Sequence, residues 1–404
     1  MPHLRFNCSC NTNLGRVKQI KTAFIWDDAL TSYRFSPEHP LNPRRLELAL
    51  ALIRAMHLLD GDDVAIVAPR TATDAELRTV HTANYIDAVK LARPNFDYGL
   101  GTDDVPAVQG MHAAAAHVVG ATLTAAELVM SGRATRAFNM SGGLHHAHPA
   151  RASGFCVYND LAVAIRWLQQ AHGARVMYID YDAHHGDGVQ AVFYEDPDVL
   201  TVSYHESGAF LFPGTGFIDE IGEGDGYGFS ANVPLEPHTG DASLGNVFNQ
   251  LVPELAAAFK PDVIVLQNGC DAHVLDPLTH LRCTTGIFER LVRTVCAIAD
   301  EHCGGRIIAT GGGGYAVEDV VPRAWTLVWS ALCGVTASNE IPRAWIDAVE
   351  RQAGRAVPHE LRDGILEDEP HGDAESGDID MNDKTMRAVR NRVLPLLTGW
   401  GLAF

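Results

Sequence analysis

Seven short apolar runs rich in β-branched residues recur along the chain, with helix-length patterns between them. The runs span 23–26, 64–67, 135–139, 175–179, 199–203, 262–267 and 306–310, and the helical patterns cover 43–58, 110–131, 158–172, 243–259 and 285–303. Strands this apolar, joined through helices, must be shielded from water on both faces. A mostly parallel sheet with right-handed crossovers provides that shielding. In such a sheet the ligand site forms beyond the carboxyl ends of the strands. Four of the runs lead into chemically loaded loops, 139–155, 180–188, 267–276 and 310–315, so these four are expected to converge.

Lys and Arg number 31 against 50 Asp and Glu, a formal net charge of −19. A field of that sign repels nucleic acid and anionic lipid and favours a cationic peptide or amine. Eight cysteines are scattered singly apart from Cys8 and Cys10, with no paired zinc-ribbon spacing. That usage points to a reducing cytosol rather than a disulfide framework. The first twenty residues are interrupted by Arg5, Asn7, Asn11, Asn13, Arg16 and Lys18, so no signal-peptide core is visible. No apolar run is read as approaching the roughly 18 residues of a membrane span. Residues 1–19 read as an extension and 20–404 as a single catalytic domain. Within it, 363–383 carries nine acidic residues and reads as an acidic loop or linker before a C-terminal helix.

The run through Val176-Met177-Tyr178-Ile179 opens into Asp180-Tyr181-Asp182-Ala183-His184-His185-Gly186-Asp187-Gly188. Carboxylates beside a buried strand cost several kcal/mol unless paired or metal-bound. Half of a metal site is therefore expected here. Far along the chain, Gln267-Asn268-Gly269-Cys270-Asp271 offers another acid. Taken alone, Asp271 reads as a helix N-cap. Joined to Asp182 and His184, it makes two carboxylates and one imidazole, the three-ligand set of a catalytic metal with an open position.

A second loaded loop reads Ser141-Gly142-Gly143-Leu144-His145-His146-Ala147-His148-Pro149. Adjacent histidines on a regular strand would face opposite ways, but the glycines permit an irregular backbone that turns both rings into one pocket. Acid–base work is the expectation. Asp180 and Asp187 are free to orient the rings once Asp182 goes to metal, although spacing does not assign which serves which. The last loop, Thr310-Gly311-Gly312-Gly313-Gly314-Tyr315, lets the chain pass close to another group. It lacks the Lys-Ser/Thr of a phosphate loop, and Tyr315 offers a phenol to an oxyanion.

These motifs, together with His39-Pro40 through Pro43-Arg44-Arg45, Tyr98-Gly99-Leu100-Gly101, Gly154-Phe155-Cys156 and Phe212-Pro213-Gly214-Thr215-Gly216, run in order from His39 to Cys333. In that order they resemble the zinc-dependent histone deacetylase family, and within it the bacterial acetoin utilization proteins. The resemblance implies a three-layer α/β arginase-deacetylase fold, an eight-stranded mostly parallel sheet flanked by helices. It implies zinc on Asp182, His184 and Asp271, and iron(II) suits the same ligands. His146 matches the general base and acid with Asp187 as its partner, His145 the neighbouring ring oriented by Asp180, and Tyr315 the carbonyl-polarising tyrosine. Asp104 matches the rim aspartate that grips the substrate backbone, and Arg45 the arginine of the acetate channel. Gly154 and Phe155 match one side of the acyl-lysine tunnel. The position matching the opposite aromatic wall falls on Ser207, so the tunnel is expected to be wider there or to be closed by Phe210. A structural potassium ion is implied at oxygens of Asp180, Asp182, His184, Ser203 and Tyr204.

The expected activity is metal-dependent removal of an acyl group, acetyl foremost, from lysine side chains of a protein or peptide. The resemblance implies a metabolic target such as an acetyl-CoA-forming ligase. Three rival readings stand beside it. An acetylpolyamine amidohydrolase or a longer-chain lysine deacylase keeps the fold and changes the substrate. A ureohydrolase needs two metals, and one acid in Gly269-Cys270-Asp271 is few for that. A silent binder of acylated lysine keeps the pocket without turnover.

Overall fold

The computed structural model describes residues 20–364 and 381–399. The proposed extension at 1–19 and residues 365–380 of the acidic segment lie outside the described residues. The strands are β1 (Ile20–Ile25), β2 (Val64–Val67), β3 (Ala134–Asn139), β4 (Val176–Asp180), β5 (Val199–Glu206), β6 (Ser230–Leu235), β7 (Val263–Gln267) and β8 (Ile307–Thr310). They form one sheet in the order β2-β1-β3-β8-β7-β4-β5-β6, and every pairing is parallel. Every residue of β4 and β7 is buried, as expected of strands covered on both faces.

The covering elements are α1 (Arg44–Ala55), α2 (Asp74–Leu77), α3 (Ala83–Leu91), α4 (Met111–Met130), α5 (Asp160–His172), α6 (Asp187–Phe193), α7 (Asp241–Phe259), α8 (Thr285–His302), α9 (Val321–Cys333), α10 (Arg343–Ala353) and α11 (Met381–Leu397). They pack as two series of neighbours, α3–α4–α5–α6 and α1–α9–α8–α7–α11, which gives three layers. Helix α4 corrects one expectation from the sequence. By length and composition it is apolar enough to cross a membrane, yet 78% of its most apolar stretch is buried, and it packs on β3 and α5 as a core helix.

Strand β6 and helices α2, α3, α6, α9 and α10 escaped the sequence pattern, and two of them show a physical reason. Strand β6 contains Ser230, Asn232 and Pro234, and it lies at the sheet edge, where a missing N–H breaks no interior ladder. Helix α9 is buried at every position, so the polar stripe of Arg323, Thr326 and Ser330 meets packed protein rather than water. The buried guanidinium of Arg323 is matched by Asp363 at 2.6 Å.

Register explains why the loaded loops meet. Asn139 lies level with Thr310, Thr310 with Gln267, Gln267 with Asp180, and Asp180 with Ser203. A row of polar residues thus crosses the carboxyl edge of the sheet. The four loops that follow β3, β8, β7 and β4 leave adjacent strands at this edge.

Candidate metal centre and acid–base site

Donor atoms of Asp182, His184 and Asp271 all lie within 4.8 Å of one another, and all three residues are buried. Asp182 is placed by the end of β4, where its Oδ2 accepts from Gln267 Nε2 and from the Gly313 N–H, each at 2.7 Å. Asp271 Oδ1 accepts the Ala183 N–H at 2.8 Å, so the loop after β7 is tied to the loop after β4. His184 Nδ1 lies 2.9 Å from Asp271 Oδ2.

This set suits a divalent cation. Burial, then the charge of Asp182, raises the Asp271 carboxyl to about 6, because two carboxylates packed together without a cation repel. Burial pulls His184 downward, but its bonds to Asp182 and Asp271 prevail and lift it to about 10. The pocket therefore stabilises positive charge. A Cβ on Gly313 would stand 2.1 Å from Asp271 Oδ2, and one on Gly269 would stand 2.1 Å from Asp182 Oδ2. The glycine run is thus packed against the metal donors, as its close-approach reading expected. Among the described residues these three form the one cluster of such donors.

Beside the donor set stand the two histidines. Their turn is held by Asn159, the N-cap of α5, and by Asp160, its first residue. Asp160 accepts the N–H groups of Gly143 and Leu144, and Asn159 Nδ2 donates to the carbonyls of His145 and Ala147. The pairing left open by spacing is resolved in the structure. His145 Nδ1 meets Asp180 Oδ2 at 2.8 Å, and His146 Nδ1 meets Asp187 Oδ1 at 2.7 Å. Tyr178 also donates to Asp180 Oδ2.

The two Nε2 atoms face each other at 3.1 Å, so one proton at most lies between them. Burial disfavours charge on both rings, but Asp180 and Asp182 outweigh it at His145 and raise that ring to about 9. Burial and the neighbouring His145 lower His146 to about 4. Of the two rings, the surroundings favour positive charge on His145 and the neutral form on His146. Burial opposes charge on Asp187 as well, yet His146 and His148 hold its carboxyl well below the usual range.

Tyr315 completes one side. Burial keeps its phenol protonated, and its ring meets Phe155 edge-on at 5.6 Å. Gly154 presses its backbone on His146, where an added Cβ would fall 2.4 Å from the ring. Asp104 is exposed at the rim, with its carbonyl 3.2 Å from His39 Nε2, and the His39 ring packs on Phe155 at 4.7 Å. Arg45 is buried behind the glycine run, donating to the Gly312 carbonyl at 2.7 Å and lying over Trp325. Ser203 lies beside Asp180 on β5, while the Tyr204 side chain turns away to Phe248, leaving only its main-chain oxygen for a cation.

The wall expectation is corrected. Ser207 starts a turn, its carbonyl accepting the N–H of Phe210 at 2.8 Å, and Phe210 points out with 59% exposure. The turn brings back Phe212, whose ring lies 5.1 Å from His146 and 6.4 Å from His184. Phe212, rather than Ser207 or Phe210, is the aromatic at that side of the site. Its sequence signal was its place before Pro213-Gly214-Thr215-Gly216. Gln267, Tyr178, Asn159 and Asp160 were also missed as site residues. Of these only Asn159-Asp160 carried a local signal, that of a helix N-cap.

Fold and donor set define a hydrolase of the arginase-deacetylase architecture. A model of the histone deacetylase domain matches residues 39–332, and the chain belongs to the histone deacetylase family. It is similar to the acetoin utilization protein AcuC of Bacillus subtilis (strain 168), with 49% identity over 349 residues, 85% of this chain and 90% of that protein. AcuC of Staphylococcus aureus (strain MSSA476) is 43% identical over 353 residues, with the same shares of 85% and 90%. Among solved structures, an HDAC homolog from Aquifex aeolicus superposes with a TM-score of 0.80 at 30% identity, covering 92% of this chain and 100% of that one. An HDAC homolog complexed with SAHA gives the same values.

Proposed function

We propose that the protein hydrolyses the amide of N-ε-acetyl-lysine in proteins or peptides, with zinc as its metal. The observation that carries this reading is the pair His145 and His146, aimed by Asp180 and Asp187 at 2.8 and 2.7 Å, beside a buried Asp-His-Asp donor set. A divalent ion held by Asp182, His184 and Asp271 would polarise the acyl carbonyl and lower the pKa of a water from 15.7 toward about 7. His146 accepts the proton of the attacking water, with Asp187 holding its Nδ1–H. Tyr315 donates a hydrogen bond to the carbonyl oxygen as negative charge grows there. His146 then passes the proton to the departing lysine amine, and acetate leaves. Arg45 supplies a buried cation behind the glycine run, which suits an acetate exit. A potassium ion at main-chain oxygens of the 180–184 loop, Ser203 and Tyr204 belongs to the same reading.

The net charge of −19 supports a cationic segment around the neutral acetyl-lysine. We take the target to be a metabolic enzyme that forms acetyl-CoA, in a reducing cytosol. Similarity to acetoin utilization proteins and the six cysteines among the described residues, all free and buried, support that setting. Phe212 favours acetyl over longer acyl groups, because it supplies the aromatic neighbour that a wide tunnel would lack.

Deacylation by metal-stripped protein, with zinc, iron(II) or manganese added back and read as the free amine released, tests the reading on acetyl-lysine peptide, acetylputrescine and longer acyl-lysines. Acetyl-lysine peptide with zinc is expected to lead. A strong preference for acetylputrescine replaces the substrate class. Peptide binding without acetate release makes the protein a silent reader.

A further inference from the structure

Asp187 serves two histidines. Its Oδ1 meets His146 Nδ1 at 2.7 Å, and its Oδ2 meets His148 Nε2 at 3.0 Å. Only 6% of the His146 side chain is exposed, against 33% for His148. The backbone of His148 is pinned from both sides. Its N–H donates to the Arg151 carbonyl at 2.9 Å, and its own carbonyl lies 3.1 Å from Nδ1 of the buried His81. Nε2 of His81 accepts the Asn159 N–H at 3.0 Å, so the His81 hydrogen is on Nδ1 and is donated to His148.

A carboxylate held through one oxygen can rotate about its terminal torsion, which is broad and two-fold. Held through both oxygens, it keeps its plane. The plane of Asp187 sets the direction of its bond to His146 Nδ1, and so the tilt of that ring and the placing of the lone pair on Nε2. The hydrogen bonds of His148 among the described residues go to Asp187, Arg151 and His81, away from the metal donors.

We propose that His148 is a positioning residue for the hydrolytic step. By donating to Asp187 Oδ2 it locks the carboxylate that aims His146. This rests on the reading of His146 as the group that takes the water proton. The effect falls on kcat rather than KM, because the hydrogen bond of the His148 side chain runs to Asp187, which aims His146.

The test is steady-state acetate release from an acetyl-lysine peptide by zinc-loaded wild type, His148→Gln, His148→Asn and His148→Leu, with thermal unfolding of each. The Gln amide nitrogen reaches about as far as the imidazole Nε2, whereas the Asn amide is one bond shorter. We expect His148→Asn and His148→Leu to lose about 10-fold in kcat with KM within about two-fold, while His148→Gln stays close to wild type. The contrast between Asn and Gln, both polar, keeps the test decisive if the Leu variant folds poorly. Unimpaired kcat in His148→Asn, or equal losses in Asn and Gln, overturns the role of His148 alone. A wild type that releases no acetate overturns the deacetylase reading and this role with it.

Discussion

The main-chain N–H of Tyr315 donates to Oδ2 of Asp276 at 2.8 Å. The other oxygen of that buried carboxyl accepts the Leu278 N–H at 3.0 Å, so Asp276 ties the glycine run to the loop that supplies Asp271. Asp276→Ala should let the phenol drift without removing a metal donor. A misplacement of about 1 Å costs about 10²-fold, so kcat is expected to fall by about 10- to 100-fold with metal content unchanged. Tyr315→Phe should lose about 10²- to 10³-fold. Kinetics with metal analysis on both variants checks the pair.

Phe212→Ala tests the corrected wall. The ring is 44% exposed, so its removal should barely change the melting temperature. An aromatic contact worth about 0.5–1.5 kcal/mol corresponds to about a 2- to 13-fold rise in KM for acetyl-lysine peptide. Longer acyl-lysines should suffer less, and the order of KM values across acyl lengths checks this. Ser207→Ala should leave that order unchanged.

Metal binding is readable without turnover. Two buried carboxylates and His184 lie within 4.8 Å of one another, so a bound divalent ion should stabilise the folded chain. At a free concentration about 100 times its Kd the gain is about 2.7 kcal/mol. Zinc added to stripped protein should raise the melting temperature, and Asp271→Ala should abolish the rise. Differential scanning calorimetry of both proteins with and without zinc gives the answer.

His81 makes stability depend on mild acid. Burial lowers its folded-state pKa from 6.5 to about 4, against hydrogen bonds to the 148–149 backbone that raise it. Between those values the unfolded chain binds more protons than the folded one. This contribution is therefore full above pH 6.5 and is lost as pH falls toward 4, on the order of 3 kcal/mol in all. Chemical denaturation from pH 7.5 to 4.5 should show a steeper loss for wild type than for His81→Gln. Equal slopes would remove His81 from the account.

Much of the site was legible before any tertiary contact was known. The apolar runs through Val176–Ile179 and 262–267 announced buried parallel strands, because β4 and β7 are shielded on both faces and carry no polar alternation. Asp182, His184, Asp271 and Tyr315 stood out because donors and glycines crowd loops where uncompensated charge is costly. What stayed hidden was of two kinds. Edge strand β6 and all-buried helix α9 carry patterns that their surroundings override. The aromatic wall was expected at Ser207 or Phe210 rather than Phe212 because the turn opened by Ser207 decides which ring faces His146.

By itself, then, the chain's order of residues determined the alternating α/β architecture and singled out the candidate metal donors and the candidate acid–base pair. Periodicity, burial tendency and donor chemistry are written within ten or twenty neighbouring positions. The fold alone decided that β3, β8, β7 and β4 lie side by side, that Asp180 serves His145 while Asp187 is divided between His146 and His148, and that Phe212 covers the ring. Those are matters of adjacency between distant segments. Adjacency is set by how whole layers pack, and no local pattern records it.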